Sequence, residues 1–131
     1  MLIMPIMELP PITAPVWLKG PATIDGSQMT AYIACLDFES HDQSTVDNIT
    51  VRNCGTVGFF ISCGANHLLR NVVSHSNLFG IAVDGCSTFF VCDNCFASNN
   101  IGGGLTSDGL FALVRGGWFG VSPDGMSALE E

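Results

Sequence analysis

The sequence predicts an all-β solenoid, a single stack of short parallel strands, on three observations. Short segments recur about every 22 residues, apolar positions alternate within them, and Gly and Asn crowd the joints between them.

Residues 66–71 (Asn-His-Leu-Leu-Arg-Asn) are followed 22 positions later by 88–93 (Thr-Phe-Phe-Val-Cys-Asp), and 22 later again by 110–115 (Leu-Phe-Ala-Leu-Val-Arg). Residues 48–53 (Asn-Ile-Thr-Val-Arg-Asn) match the first of these at an interval of 18. In register they make one column of Val51, Leu69, Val91 and Leu113 and another of Ile49, His67, Phe89 and Phe111. Val91 is therefore expected to be buried between Leu69 and Leu113. A second series, 58–62, 80–84 and 102–106, aligns Ile61, Val83 and Leu105, with polar Ser62, Asp84 and Thr106 beside them. The four residues missing from the first interval fall after Asn53, and a stack tolerates a turn of variable length.

Alternation of apolar residues has period two, which means strand rather than helix. A residue and its counterpart one repeat later point the same way, so successive coils pair in parallel at about 4.8 Å. The inward columns then form like-on-like ladders. Asn48, Asn53, Asn66, Asn71, Asn77, Asn94, Asn99 and Asn100 fall at strand ends. Asn accepts left-handed backbone there and can bond to its counterpart along the stack.

The first 30 residues differ. Prolines 5, 10, 11, 15 and 21 exclude a central helix, leaving short strands at 12–18 and 22–26. Residues 32–39 alternate again and make a further coil. The expected organisation is one domain over 1–131, with irregular strands or a cap in 1–30 and four to five coils of roughly 22 residues in 31–131.

Composition narrows the function. Apolar residues make up 47% and charged ones only 12%, which is the balance of a packed chain and not a disordered one. The net charge of −8 argues against nucleic acid and against anionic membrane surfaces. Residues 1–7 are apolar but lack a basic flank, and the prolines interrupt them, so they read as neither signal peptide nor membrane span. No compartment follows. Six cysteines permit disulfides without fixing a pairing, and the lone Cys92-x-x-Cys95 reads as two small apolar residues near strands.

Leu9-Pro-Pro-Ile-Thr-Ala-Pro-Val16 with Ile24-Asp-Gly26, the coils from Val51 onward, and residues 117–125 (Gly-Trp-Phe-Gly-Val-Ser-Pro-Asp-Gly) resemble the right-handed parallel β-helix proteins of the pectin-lyase-like superfamily. The resemblance implies a right-handed coil. Members commonly have an N-terminal capping helix and many more coils, so the chain resembles a fragment or minimal relative. Enzymes of that superfamily place carboxylates on one lateral face, since glycosidic cleavage needs two positioned carboxyls. Here Asp84 and Asp108 are the candidates, and both read as solvated acids at turns. Arg52 and Arg70, expected to stack on adjacent coils, suggest an anion site, but Asp47 and Asp93 are the expected partners. His67 reads as a buried neutral histidine, and His41 and His75 as turn residues. Gly102-Gly-Gly104 reads as a corner. No residue is assigned as catalytic, cofactor-binding or metal-ligating, and no cofactor is implied.

The resulting expectation is a non-enzymatic structural or self-associating module, homo-oligomeric through the ends of its stack. The alternative is a polysaccharide-binding or -cleaving domain, which would need an acidic groove lined by aromatics. Trp17, Tyr32 and Trp118 are the only large polar aromatics, and they lie at the two ends of the repeat.

Overall fold

The structure is a computed structural model that describes residues 1–29, 34–109 and 111–119. Tyr32, Leu110, Val121 and the rest of the C-terminal stretch, and the side chain of Trp118, lie outside that description. The described residues form a parallel β-solenoid of about five turns, with no α-helix. A single 3₁₀ turn spans Gly26–Gln28.

Strands β1 (Leu2–Ile3), β2 (Trp17–Asp25) and β3 (Leu36–Glu39) open the stack. Then β4 (Thr45–Arg52) and β5 (Val57–Ser62) make the next coil. The following coil is β6 (Gly64–Arg70), β7 (Val73–His75) and β8 (Phe79–Val83). After it come β9 (Ser87–Asp93), β10 (Phe96–Ser98) and β11 (Gly103–Ser107), and finally β12 (Ala112–Arg115) and β13 (Trp118–Phe119). A nine-stranded sheet forks at β4, whose first half pairs with β6 and second half with β7. A four-stranded sheet runs β3, β5, β8, β11. Each full coil therefore has three faces. The first 16 residues join the stack at its start: Leu2 pairs with Thr23, and Ile12 bridges to Phe38.

The repeat is longer than the sequence comparison implied. Thr45 pairs with Leu68 and Leu68 with Val91, and Thr50 with Val73 and Val73 with Phe96, each a step of 23. Only β5–β8, β9–β12 and β10–β13 step by 22, and β8–β11 steps by 24. The apparent interval of 18 is a false match, because residue 48 corresponds to 71 and not to 66.

With period-two side chains, a slip of one residue exchanges faces. Val91 accordingly points outward beside Leu68 and Leu113, and Phe89 and Phe111 are exposed. The inward columns are Val46, Leu69, Cys92 and Val114, with His67 and Phe90 beside them. On the four-stranded sheet Ile61 does meet Val83, but Leu105 meets Ile81 and Thr106 meets Ala82. Phe38, Phe59, Ile61, Leu69, Ile81 and Phe90 are among the largest fully buried side chains.

Six of the eight asparagines, 48, 53, 66, 71, 94 and 99, have positive φ and turn the corners. Asn77 and Asn100 are instead buried, where Asn77 accepts from the Cys54 N–H and Asn100 from the Asn77 N–H. The Asn94 side chain donates to that of Asn71 at 2.8 Å, so stacking of like side chains along the solenoid is real. All six cysteines are paired: Cys35–Cys54, Cys63–Cys86 and Cys92–Cys95. Cys92 and Cys95 are buried as small apolar residues would be, but they are bonded to each other across the corner at Asn94.

Candidate functional site

The outer side of the first face, built by β2, β4, β6, β9 and β12, carries two parallel columns. One runs Trp17, Thr45, Leu68, Val91, Leu113. The other, two residues further along each strand, runs Lys19, Asp47, Arg70, Asp93, Arg115. The first is mostly apolar, and Phe89 and Phe111 extend it in the β9–β12 register. Exposure is 41% at Phe89, 67% at Phe111, 43% at Leu113 and 62% at Trp17, values that leave the strip open to a partner. The second alternates in sign at every rung. Arg70 meets Asp47 at 3.0 Å and Arg115 meets Asp93 at 3.0 Å. Hydrogen bonds from Arg70 and Asn71 hold the Asp47 carboxyl below its usual value. Lys19 lies over the Trp17 ring, 5.5 Å from its centroid.

Arg52 and Arg70 do not stack. Arg52 belongs to the second half of β4, where it pairs with Asp25 at 2.8 Å on one side and stands beside His75 on the other. Burial works to raise the Asp25 carboxyl, but hydrogen bonds from Ser27, Arg52 and Asn53 outweigh it and hold it far below the carboxylate range. The expected partnership of Arg70 with Asp47 is present. Every basic side chain of the protein except Lys19 is thus in an ion pair, and all four lie on the nine-stranded sheet. No unpaired arginine is left for an anion.

The outer side of the four-stranded sheet has the opposite character. Asp37, Phe60, Ala82 and Thr106 form one column. Beside it stand Glu39, Ser62, Asp84 and Asp108; Asp84 and Asp108 occupy matching positions on adjacent coils, because Ser107 pairs with Val83. Both are exposed. At the start of this face Glu8, Leu9, Asp37, Thr56, Val57 and Phe60 line a cleft of about 200 Å³. Desolvation, with the charges of Glu39 and Glu8, raises the Asp37 carboxyl above its usual value, and one of its oxygens is buried without a hydrogen-bond partner. Sequence reasoning missed Asp37. Its alternation between Leu36 and Phe38 was visible, but Glu8 reaches it only through the fold of residues 1–12.

His67 is buried as expected, and His41, in the turn between β3 and β4 as expected, is buried too. His75 is half-buried at the end of β7. Among the described residues no cluster of three or more His, Cys, Asp or Glu could hold a metal, and no helix is long and apolar enough to cross a membrane.

The parallel ladders, three-faced coils and Asn corners define a β-helix repeat protein. A family model described as "Right handed beta helix region" matches residues 22–116. The chain belongs to the right-handed β-helix family, and the pectin-lyase-like resemblance is consistent with that membership. No curated protein and no solved structure matches it.

Proposed function

We propose that the chain is a non-enzymatic structural module that self-associates, and that the flat strip of Trp17, Leu68, Phe89, Val91, Phe111 and Leu113 is where a second copy sits. The observation that carries this reading is the placement of charge. A protein of net charge −8 repels its own copy over most of its surface. The strip is bordered by a ladder of three bases and two acids, Lys19, Asp47, Arg70, Asp93 and Arg115, so two copies can approach there without that cost. An apolar centre with a polar, charge-paired rim is also the common anatomy of a protein interface. The apolar ends of the stack, with Met1, Met4, Ile6 and Met7 exposed at one of them, offer the second surface for association.

Light scattering and sedimentation at tens of micromolar test the idea. The wild type should be a dimer or larger, and Phe89→Glu with Phe111→Glu should give a folded monomer. A wild-type monomer would sink self-association. Dissociation by Ile6→Glu but not by the Phe pair would move the contact to the ends.

The cleft beside Asp37 supports a second reading, a saccharide-binding face, since carboxylates accept hydrogen bonds from hydroxyls and Phe60 offers an apolar floor. Titration with neutral and acidic oligosaccharides distinguishes the two. Binding that Asp37→Asn abolishes and the Phe pair leaves intact would favour the saccharide.

A further inference from the structure

Residues Val16, Ser44 and His67 lie on three successive coils at the same corner. Their main chains are joined by Thr45 N–H to the Val16 carbonyl and Leu68 N–H to the Ser44 carbonyl. Side chains add a second set of links. The Val16 N–H donates to Ser44 Oγ at 3.1 Å, and the Ser44 N–H donates to His67 Nδ1 at 3.2 Å. Ser44 Oγ lies 2.6 Å from His41 Nε2, and His41 Nδ1 lies 3.2 Å from the Glu39 carbonyl. Ser44 and His67 are each 2% exposed, which puts this network inside the protein.

The donors and acceptors allow one proton arrangement. A carbonyl accepts only, so a neutral His41 carries its proton on Nδ1 and accepts a hydrogen bond from the Ser44 hydroxyl at Nε2. An amide N–H donates only, so His67 keeps Nδ1 bare and, when neutral, carries its proton on Nε2. That atom is buried and has no partner. The two rings meet edge to face, with centroids 5.0 Å apart, and Phe38 packs near both. Gly64 passes directly over the pair. A Cβ there would overlap the His41 carbonyl and stand 2.8 Å from His67 Nε2.

We propose that this cluster is an acid-released latch, tying three coils together at neutral pH and letting them part as the pH falls. Protonating His67 sets a new N–H against the Ser44 N–H, breaks the link between coils, and leaves a charge in the core. The titratable or charged groups around it are His41 and Asp42 from the turn before β4, and Glu39 at the end of β3. The position paired with it on the next coil is Phe90, which carries no charge. Burial and the neighbouring His41 ring lower the His67 pKa, against smaller opposing pulls from the His41 backbone, from Asp42 and from the Cys63 backbone. A histidine whose folded pKa lies below its unfolded value of about 6.5 contributes stability above that pH. The contribution is lost as pH falls from there towards the folded value.

The test is thermal unfolding of the wild type and His67→Asn from pH 7.5 to 5.0. Asn offers an oxygen where Nδ1 stood, so it keeps the Ser44 link but cannot titrate. His75, whose pKa is lowered by burial and by Arg52, titrates in the same range, so His75→Gln serves as control. The wild type should lose roughly 4 °C per pH unit below 6.5 relative to His67→Asn, and His75→Gln should lose the same relative to the His67→Asn/His75→Gln double variant. Parallel curves for the wild type and His67→Asn would overturn the latch. Should His67→Asn fail to fold, a histidine NMR titration of the wild type decides. The expected result is an Nε2–H tautomer at pH 7.5, with exchange of the Ser44 amide accelerating as His67 gains its proton. Protonation of His67 with the Ser44 amide still protected would equally overturn it.

Discussion

Asp37 sits where three carboxylates converge and no base reaches. Its raised pKa means that the folded state holds the charged form at a cost, which is absent below the unfolded value near 3.8 and grows as pH rises through the folded value. Asp37→Asn should therefore raise the melting temperature at pH 7, and the gain should vanish by about pH 3. Asp25 has the opposite sign. Its depressed pKa supplies stability that is complete above the unfolded value and disappears as pH falls below it, so Asp25→Asn should remove part of the acid unfolding limb. Melting curves for the two variants at pH 3, 5 and 7 check both.

At the scale of the strand, one residue of register decides which substitutions are tolerated. Phe90 is fully buried, and Phe90→Ala should cost about 3–5 kcal/mol in urea unfolding. Val91 beside it faces outward, and Val91→Thr should cost well under 1 kcal/mol, roughly a surface change. Equal losses at the two positions would mean that β9 is placed one residue away from its true register. The alternation and the existence of a repeat were legible in the residues, because period two and self-similarity are local properties. The phase of β9 was not. Asn-flanked hexamers at 48–53 and 66–71 look equivalent, yet Asn48 and Asn71 share a corner and Asn66 turns a different one. The charge ladder was half legible: Asp47 and Asp93 were named as partners for the arginines, but the alternation through all five rungs appears only once the register of each strand pair is known. The cysteine pairs were not legible at all, since each depends on which corners coincide.

Over the whole molecule, the lysine and arginines are confined to one sheet. The nine-stranded sheet holds every lysine and arginine, while Asp37, Glu39, Asp84 and Asp108 stand on the four-stranded sheet with none. Each full coil contributes to both, so every added coil lengthens an ion-paired face and an acidic face together. Cross-links follow the same logic of neighbours. Cys63 and Cys86 are 23 residues apart, a single coil, and the other two disulfides span 19 and 3. None ties one end of the stack to the other. Pulled along its axis from the two termini, such a chain should unspool turn by turn, each 23-residue coil paying out about 80 Å of extended chain. The loops closed by Cys63–Cys86 and Cys35–Cys54 are the exceptions. Their length stays out of reach of the force until the bonds are reduced, so single-molecule extension with and without a thiol reductant should differ by about 80 Å from the first loop and about 65 Å from the second. Each disulfide thus acts as a length stop, fixing how far its own turn can yield while the neighbours unwind.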